Sequence, residues 1–283
     1  MQPVSDWIDR LICGRYELRE CIYSSRMSNV FRAWDHKKEC VVAVKIATNN
    51  LKYSNLVGSL KREAIALGRF NNPRVVRLLD FGTIGESFFI VMEYVRGWSL
   101  ADHLDRDGQL PLAICISMGI QILEGLKVIH SAGLIHCDLK PDNLMVTPDG
   151  IKIIDFGVVR FASAVDQKMN WTNDNSKHVT GTLPYLSPEQ GQARFKDFDG
   201  RTDLYACGVV LYELMTGVYP FYEFEKEDQI LGYWKQPLRP FSEVWPPVDV
   251  PKKIRKIVWK ALEVDSGRRY QTAEEMRADL LAV

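Results

Sequence analysis

The sequence predicts an α+β chain in two parts: a small, mainly antiparallel β part with one helix, then a larger, mainly α-helical part. Three observations predict it: a succession of short β-type runs before Val95, a single helical pattern among them, and long helical patterns after Gly97. The 283 residues are 46% hydrophobic, close to the globular average, which supplies core for one large domain or for two lobes sharing a cleft and argues against disorder.

The β-type runs fall at residues 16–22, 30–34, 40–46, 75–81 and 87–94. Between residues 58 and 70, Leu60, Ala64 and Leu67 recur at helical spacing and predict one amphipathic helix after the third strand. Antiparallel strands with one helix make a small α+β unit. The boundary is expected at residues 95–99. Beyond it, helices are expected at 112–131, 201–216 and 252–264, and the runs 144–147 and 151–154 flank Pro148-Asp149-Gly150 as a hairpin. Residues 162–177 are polar and weakly periodic, the pattern of a functional or mobile loop.

Lys plus Arg number 36 against 36 Asp plus Glu, so the formal net charge is zero. Nothing in that balance attracts nucleic acid or an anionic membrane, and any anionic substrate must be met locally. Cys13, Cys21, Cys40, Cys115, Cys137 and Cys207 are scattered, without the spacing of a zinc site or a disulfide framework. They read as reduced thiols of a cytoplasmic protein. Residues 1–14 contain Asp6, Asp9 and Arg10 and lack the apolar core of a secretory signal. No later stretch reads as the roughly 18 apolar residues of a membrane span. Oligomeric state leaves no signature in the sequence.

The decisive segment is His136-Cys137-Asp138-Leu139-Lys140-Pro141-Asp142-Asn143, followed after the hairpin by Asp155-Phe156-Gly157. Taken singly, any of these aspartates reads as a turn or cap residue; their joint order and spacing do not. They resemble the catalytic loop and metal-binding triplet of the eukaryotic-type protein kinases, and the resemblance runs from about Tyr16 to Leu280. It implies a two-lobed kinase fold: an N-terminal extension 1–15, then a domain 16–283 with N-lobe 16–94, hinge 95–98 and C-lobe 99–283.

By that resemblance, Asp138 accepts or orients the proton of the attacking hydroxyl, Lys140 stabilises the transferring phosphoryl group, and Asn143 and Asp155 supply oxygen ligands to Mg2+ bridging the phosphates of ATP. Val41-Val42-Ala43-Val44-Lys45-Ile46 sets a lysine in a strand apolar on both faces, where an unpaired ammonium is costly. Glu63 on the following helix matches the family's partner for Lys45; its alternative reading is a solvated charge beside Lys61 and Arg62. The segment Ile90-Val91-Met92-Glu93-Tyr94-Val95 resembles the hinge strand. Met92 would control access behind the adenine, Glu93 and Val95 would offer it backbone groups, and Ile22, Val30, Ala43 and Met145 would wall it. In the activation segment, Gly181-Thr182-Leu183-Pro184-Tyr185 and Ser187-Pro188-Glu189 resemble serine/threonine kinases, most like bacterial members. Thr182 has a substrate-positioning role there and Glu189 pairs with Arg269. Asp203 resembles the buried carboxylate that caps the catalytic loop, and His136 a structural histidine.

Two departures stand out. The phosphate-covering loop carries Tyr23, Ser25 and Ser28 where the family has three glycines, so close backbone approach to phosphate is lost and ATP is expected to bind weakly or under a differently shaped loop. Cys137 replaces the arginine that ordinarily pairs with a phosphorylated residue of the activation segment. Phosphorylation within residues 170–182 is therefore not expected to be the main switch, and Asp174 is not a simple phosphate mimic. Cys137 reads as a small residue tolerated where arginine is dispensable, or as a redox sensor. The resemblance thus implies an ATP- and Mg2+-dependent serine/threonine kinase with a protein substrate. A pseudokinase scaffold is the alternative from another class, and phosphorylation of a small molecule a third.

Overall fold

The computed structural model describes residues 4–25, 27–47, 56–162, 182–222, 234–244 and 249–283. The expectations on residues 163–181, Asp174 and Gly181 among them, lie outside them. The chain divides into two compact units, Met1–Arg96 and Gly97–Val283.

Among the described residues, the first unit is a six-stranded antiparallel sheet with one α-helix. Its strands are β1 (Leu11–Ile12), β2 (Tyr16–Ser24), β3 (Ser28–Asp35), β4 (Cys40–Ala47), β5 (Leu78–Ile84) and β6 (Ser87–Glu93), in the order β1-β2-β3-β4-β6-β5, and the helix is α1 (Leu56–Leu67). β1 has no counterpart among the expected strands, because two residues carry no periodicity. It pairs with β2 as Ile12 opposite Tyr16, and Trp7 and Ile12 join the core with Leu18, Phe31, Val42, Val44, Ile46, Phe89 and Val91. Trp7 and Ile12, which precede Tyr16, are therefore part of this unit's core. The run expected from Val75 begins at Leu78, since Val75 closes a turn by donating to the Asn72 carbonyl at 3.2 Å. Side chains alternate along a strand. Val42, Val44 and Ile46 point into the core, which leaves Ala43 and Lys45 to the other face of β4.

The second unit is mainly helical: α2 (Leu100–Asp107), α3 (Leu112–Ser131), α4 (Pro188–Gly191), α5 (Gly200–Thr216), α6 (Lys252–Ala261) and α7 (Ala273–Leu281). Short strands β7 (Trp98–Ser99), β8 (Leu134–Ile135), β9 (Leu144–Thr147), β10 (Gly150–Ile153) and β11 (Arg160–Phe161) form a three-stranded sheet, β10-β9-β7, and the pair β11-β8. α5 is the central helix. Asp199 caps its first turn, Gly217 ends it in the left-handed region at φ 72°, and residues 202–216 are all buried. α3 corrects the expectation on membrane spans, for it is long and apolar enough to cross one by length and composition. Here it is packed through Cys115, Ile122, Leu123, Leu126 and Ile129, and Gly119 lets Leu211 and Leu280 approach its backbone. α6 stops before the expected Val264, where the carbonyls of Glu263 and Val264 accept instead from Arg269.

Candidate active site

Within the second unit, β8 delivers the chain into the loop His136–Asn143, and a single 3-10 turn, Pro141–Asn143, leads out into the β9–β10 hairpin. Asp203, at the start of α5, organises the loop from below. Its carboxylate accepts from the amides of His136 at 2.9 Å and Cys137 at 2.8 Å and from His130 Nε2 at 2.8 Å. Burial alone would raise its pKa, but these hydrogen bonds, His130 foremost, outweigh burial and hold the carboxyl below its ordinary value. Cys137 adopts φ 66°, which a non-glycine residue keeps only where its surroundings hold it, and its carbonyl accepts from Gln190 Nε2 at 2.7 Å.

This kink presents Asp138. Its Oδ1 accepts from the Thr182 amide and hydroxyl, both at 3.1 Å, and its Oδ2 lies 3.2 Å from Asn143 Nδ2 and 3.3 Å from Lys140 Nζ. Lys140 also donates to Thr182 Oγ1 at 2.7 Å, so Asp138, Lys140 and Thr182 close a triangle. Asn143 Nδ2 further donates to the Asp138 carbonyl at 2.8 Å, which turns the amide oxygen away from Asp138. The hairpin register sets Leu144 opposite Ile153, and the Ile154 amide donates to the Asn143 carbonyl at 2.9 Å. Asn143 and Asp155 thus stand together at the hairpin's open end. Asp155, at φ 61°, accepts from the Gly157 amide at 3.1 Å. Among the described residues no group of three His, Cys, Asp or Glu is placed to hold a metal, so a divalent ion here would rest on Asn143, Asp155 and ligands brought by a bound phosphate. Two hard oxygens of that kind suit magnesium. His136 is buried, accepts the Asp138 amide on Nδ1 at 3.3 Å, faces the Ile154 carbonyl through Nε2 at 3.4 Å and meets the Phe156 ring edge-on at 4.9 Å, which makes it a spacer between loop and triplet.

In the first unit, Lys45 Nζ meets both carboxylate oxygens of Glu63 at 2.8 Å, with the two residues 7% and 1% exposed. Burial on this scale favours a paired over a solvated Glu63. Ala43 lies opposite Met92 and Val30 opposite Lys45, so the register puts all four on one face of the sheet. Met92 is buried, Ile22 is exposed, and the Glu93 amide donates to the Arg77 carbonyl at 3.0 Å. Val95 and, in the second unit, Met145 are half-buried.

The protein kinase domain model matches residues 16–281. The chain belongs to the protein kinase domain family. It is 37% identical over 275 residues to a probable serine/threonine-protein kinase of Clostridium perfringens, covering 96% of this chain and 39% of the relative. Against the serine/threonine-protein kinases pkn3 of Myxococcus xanthus and PrkC of Bacillus subtilis it is 34% and 32% identical, covering 98% and 96% of this chain but 51% and 41% of the relatives. The chain therefore spans two fifths to one half of the length of these curated relatives.

Other residues that shape the kinase domain's loop escaped the sequence reading. His130 and Gln190 each bond a partner more than 50 residues away; Gln190 is visible only as the second half of a Ser187-x-x-Gln190 capping box, whose form says nothing of Cys137. Arg160 on β11 sits in a corner formed by Phe195 and Phe198, its guanidinium 4.6 and 4.9 Å from the ring centres. The Cys137 thiol is buried, and burial, with Asp203 next, pushes it well above the ordinary thiol range. A protonated, inaccessible thiol speaks for the small tolerated residue and against a redox sensor. Glu189 and Arg269 meet in two hydrogen bonds of 2.8 Å, deep in the second unit.

Proposed function

We propose that this kinase domain transfers the γ-phosphoryl group of Mg-ATP to serine or threonine hydroxyls of a protein substrate. The observation that carries the reading is the triangle of Asp138, Lys140 and Thr182, which aims a carboxylate, a cation and a hydroxyl at one point of the catalytic loop. In this reading Asp138 receives or orients the proton of the incoming hydroxyl, Lys140 stabilises charge on the transferring group, and Thr182 stands where the substrate hydroxyl is positioned. Lys45, steadied by Glu63, meets the α- and β-phosphates. Ile22, Val30, Ala43, Met92, Glu93, Val95 and Met145 form the adenine site. Asn143 and Asp155 would hold magnesium, which would supply positive charge against the phosphates.

The domain is taken as 16–283, with an N-lobe 16–94, a hinge segment 95–98 and a C-lobe 99–283. Six cysteines without a disulfide fit a reducing compartment, and we place the domain in the cytoplasm.

Transfer of labelled phosphate from ATP to protein, compared between wild type and Asp138→Asn, tests the reading. A loss of about 100-fold or more is expected from removing a general base. Equal incorporation by the two proteins overturns the reading in favour of a scaffold. Labelled phosphotyrosine in place of phosphoserine or phosphothreonine overturns the hydroxyl class.

A further inference from the structure

The loop between β2 and β3 lacks glycine, and its geometry names what stands in. The inference rests on the proposed nucleotide binding and deepens it. Ser25 closes the turn: its Oγ accepts from the amides of Met27 at 3.2 Å and Ser28 at 3.1 Å, while its own amide and hydroxyl donate to the Ser28 carbonyl, both at 3.0 Å. Ser24 Oγ adds a bond of 2.8 Å to Asn29 Oδ1. Amides satisfied inside the turn are not presented to a phosphate as those of a glycine loop are.

The same strand offers another donor. Cys21 pairs with Phe31 and packs against the core, so an unbroken register would send Ile22 opposite Val30 and turn Tyr23 toward the core side. Instead the register slips by one residue between Cys21 and Tyr23, and Tyr23 itself falls opposite Val30. Val30 in turn lies opposite Lys45. Directly opposed residues share a face, so Tyr23, Val30 and Lys45 form a row across three strands. Strand spacing separates the outer two by roughly 10 Å of backbone, a gap that a tyrosine and a lysine reaching toward each other span around a phosphate group. Tyr23 is 56% exposed, and its hydroxyl has no hydrogen-bond partner among the described residues.

We propose that the Tyr23 hydroxyl is the phosphate-loop contact of this domain, donating to an oxygen of the nucleotide's triphosphate on the Lys45 face of the sheet in place of the glycine amides.

Calorimetric titration of wild type, Tyr23→Phe and Ser25→Ala with Mg-ATP and with adenosine tests it. Deleting one hydrogen bond to a charged oxygen is expected to weaken Mg-ATP by about tenfold in Tyr23→Phe. Adenosine, which has no phosphate, binds Tyr23→Phe and wild type alike. Adding Ser25→Ala to Tyr23→Phe releases the Met27 and Ser28 amides and recovers part of the loss. Equal Mg-ATP affinity in wild type and Tyr23→Phe overturns the inference and leaves the proposed function standing, as does an equal loss for Mg-ATP and adenosine, which would mark ring packing. A wild type that binds no Mg-ATP overturns both.

Discussion

Glu213 shows how one side chain ties pH to stability in this domain. It lies on α5, 8% exposed, and accepts from the Tyr185 hydroxyl at 2.7 Å. Burial pushes its carboxyl up to about 7, with Tyr185 opposing and Asp142 and Asp105 adding to the rise, while Tyr219 packs edge-on against Tyr185. The folded-state value thus exceeds the unfolded one. Its contribution to stability is complete below the ordinary glutamate range and is lost as pH rises through about 7, a swing on the order of 3 kcal/mol. Melting midpoints should therefore fall between pH 5 and 8 in wild type, and Glu213→Gln should flatten that slope; an unchanged slope would place the titration elsewhere. None of this was visible in the sequence, where Glu213 is one glutamate in an apolar helix. Asp138, Lys140 and Asn143, by contrast, were readable because they lie within six residues of chain, and their mutual geometry needs little more than the loop's own kink.

At the scale of elements, the close approach of α5 to α6 depends on Gly208. A Cβ there would lie 2.8 Å from the Ala261 Cβ and 3.2 Å from Leu262 Cδ2. Alanine in a helix interior gains about 1 kcal/mol over glycine. Overpacking a rigid contact costs about 1–3 kcal/mol. The Ala261 Cβ has no rotamer by which to move aside, so the second effect wins. Gly208→Ala is expected to lower stability by up to about 2 kcal/mol in denaturant unfolding, and a stabilised variant would show that the helices shift apart freely. Element positions were largely legible: α3, α5 and the β9–β10 hairpin follow their patterns to within a residue. The failures are local. β1 is too short to show a period, and α6 ends at Ala261, with the carbonyls of Glu263 and Val264 just beyond it accepting from Arg269 instead.

At the scale of the molecule, the second unit is pinned by contacts between residues far apart in the chain. Glu189 and Arg269 are separated by 80 positions, and Arg269 also donates to the carbonyls of Arg201, Glu263 and Val264 and lies 4.8 Å from the Tyr205 ring. Removing one partner strands a buried charge, at about 3–5 kcal/mol. Arg269→Met should thus lower stability by that amount in thermal unfolding, and Arg269→Met with Glu189→Leu should be less destabilised than the single variant; equal losses would assign the effect to the carbonyl contacts alone. The sequence by itself determined the two-part α+β plan, the family and the identity of the chemical groups, because periodicity and short-range spacing are written along the chain. Even the Glu189–Arg269 pair could be named from motif order. Only the tertiary structure decided that Lys45 is buried against Glu63, that Cys137 is sealed and protonated, and that a one-residue slip in β2 turns Tyr23 toward the Lys45 face. Burial and cross-strand register are properties of neighbours in space, and a sequence orders only neighbours in the chain.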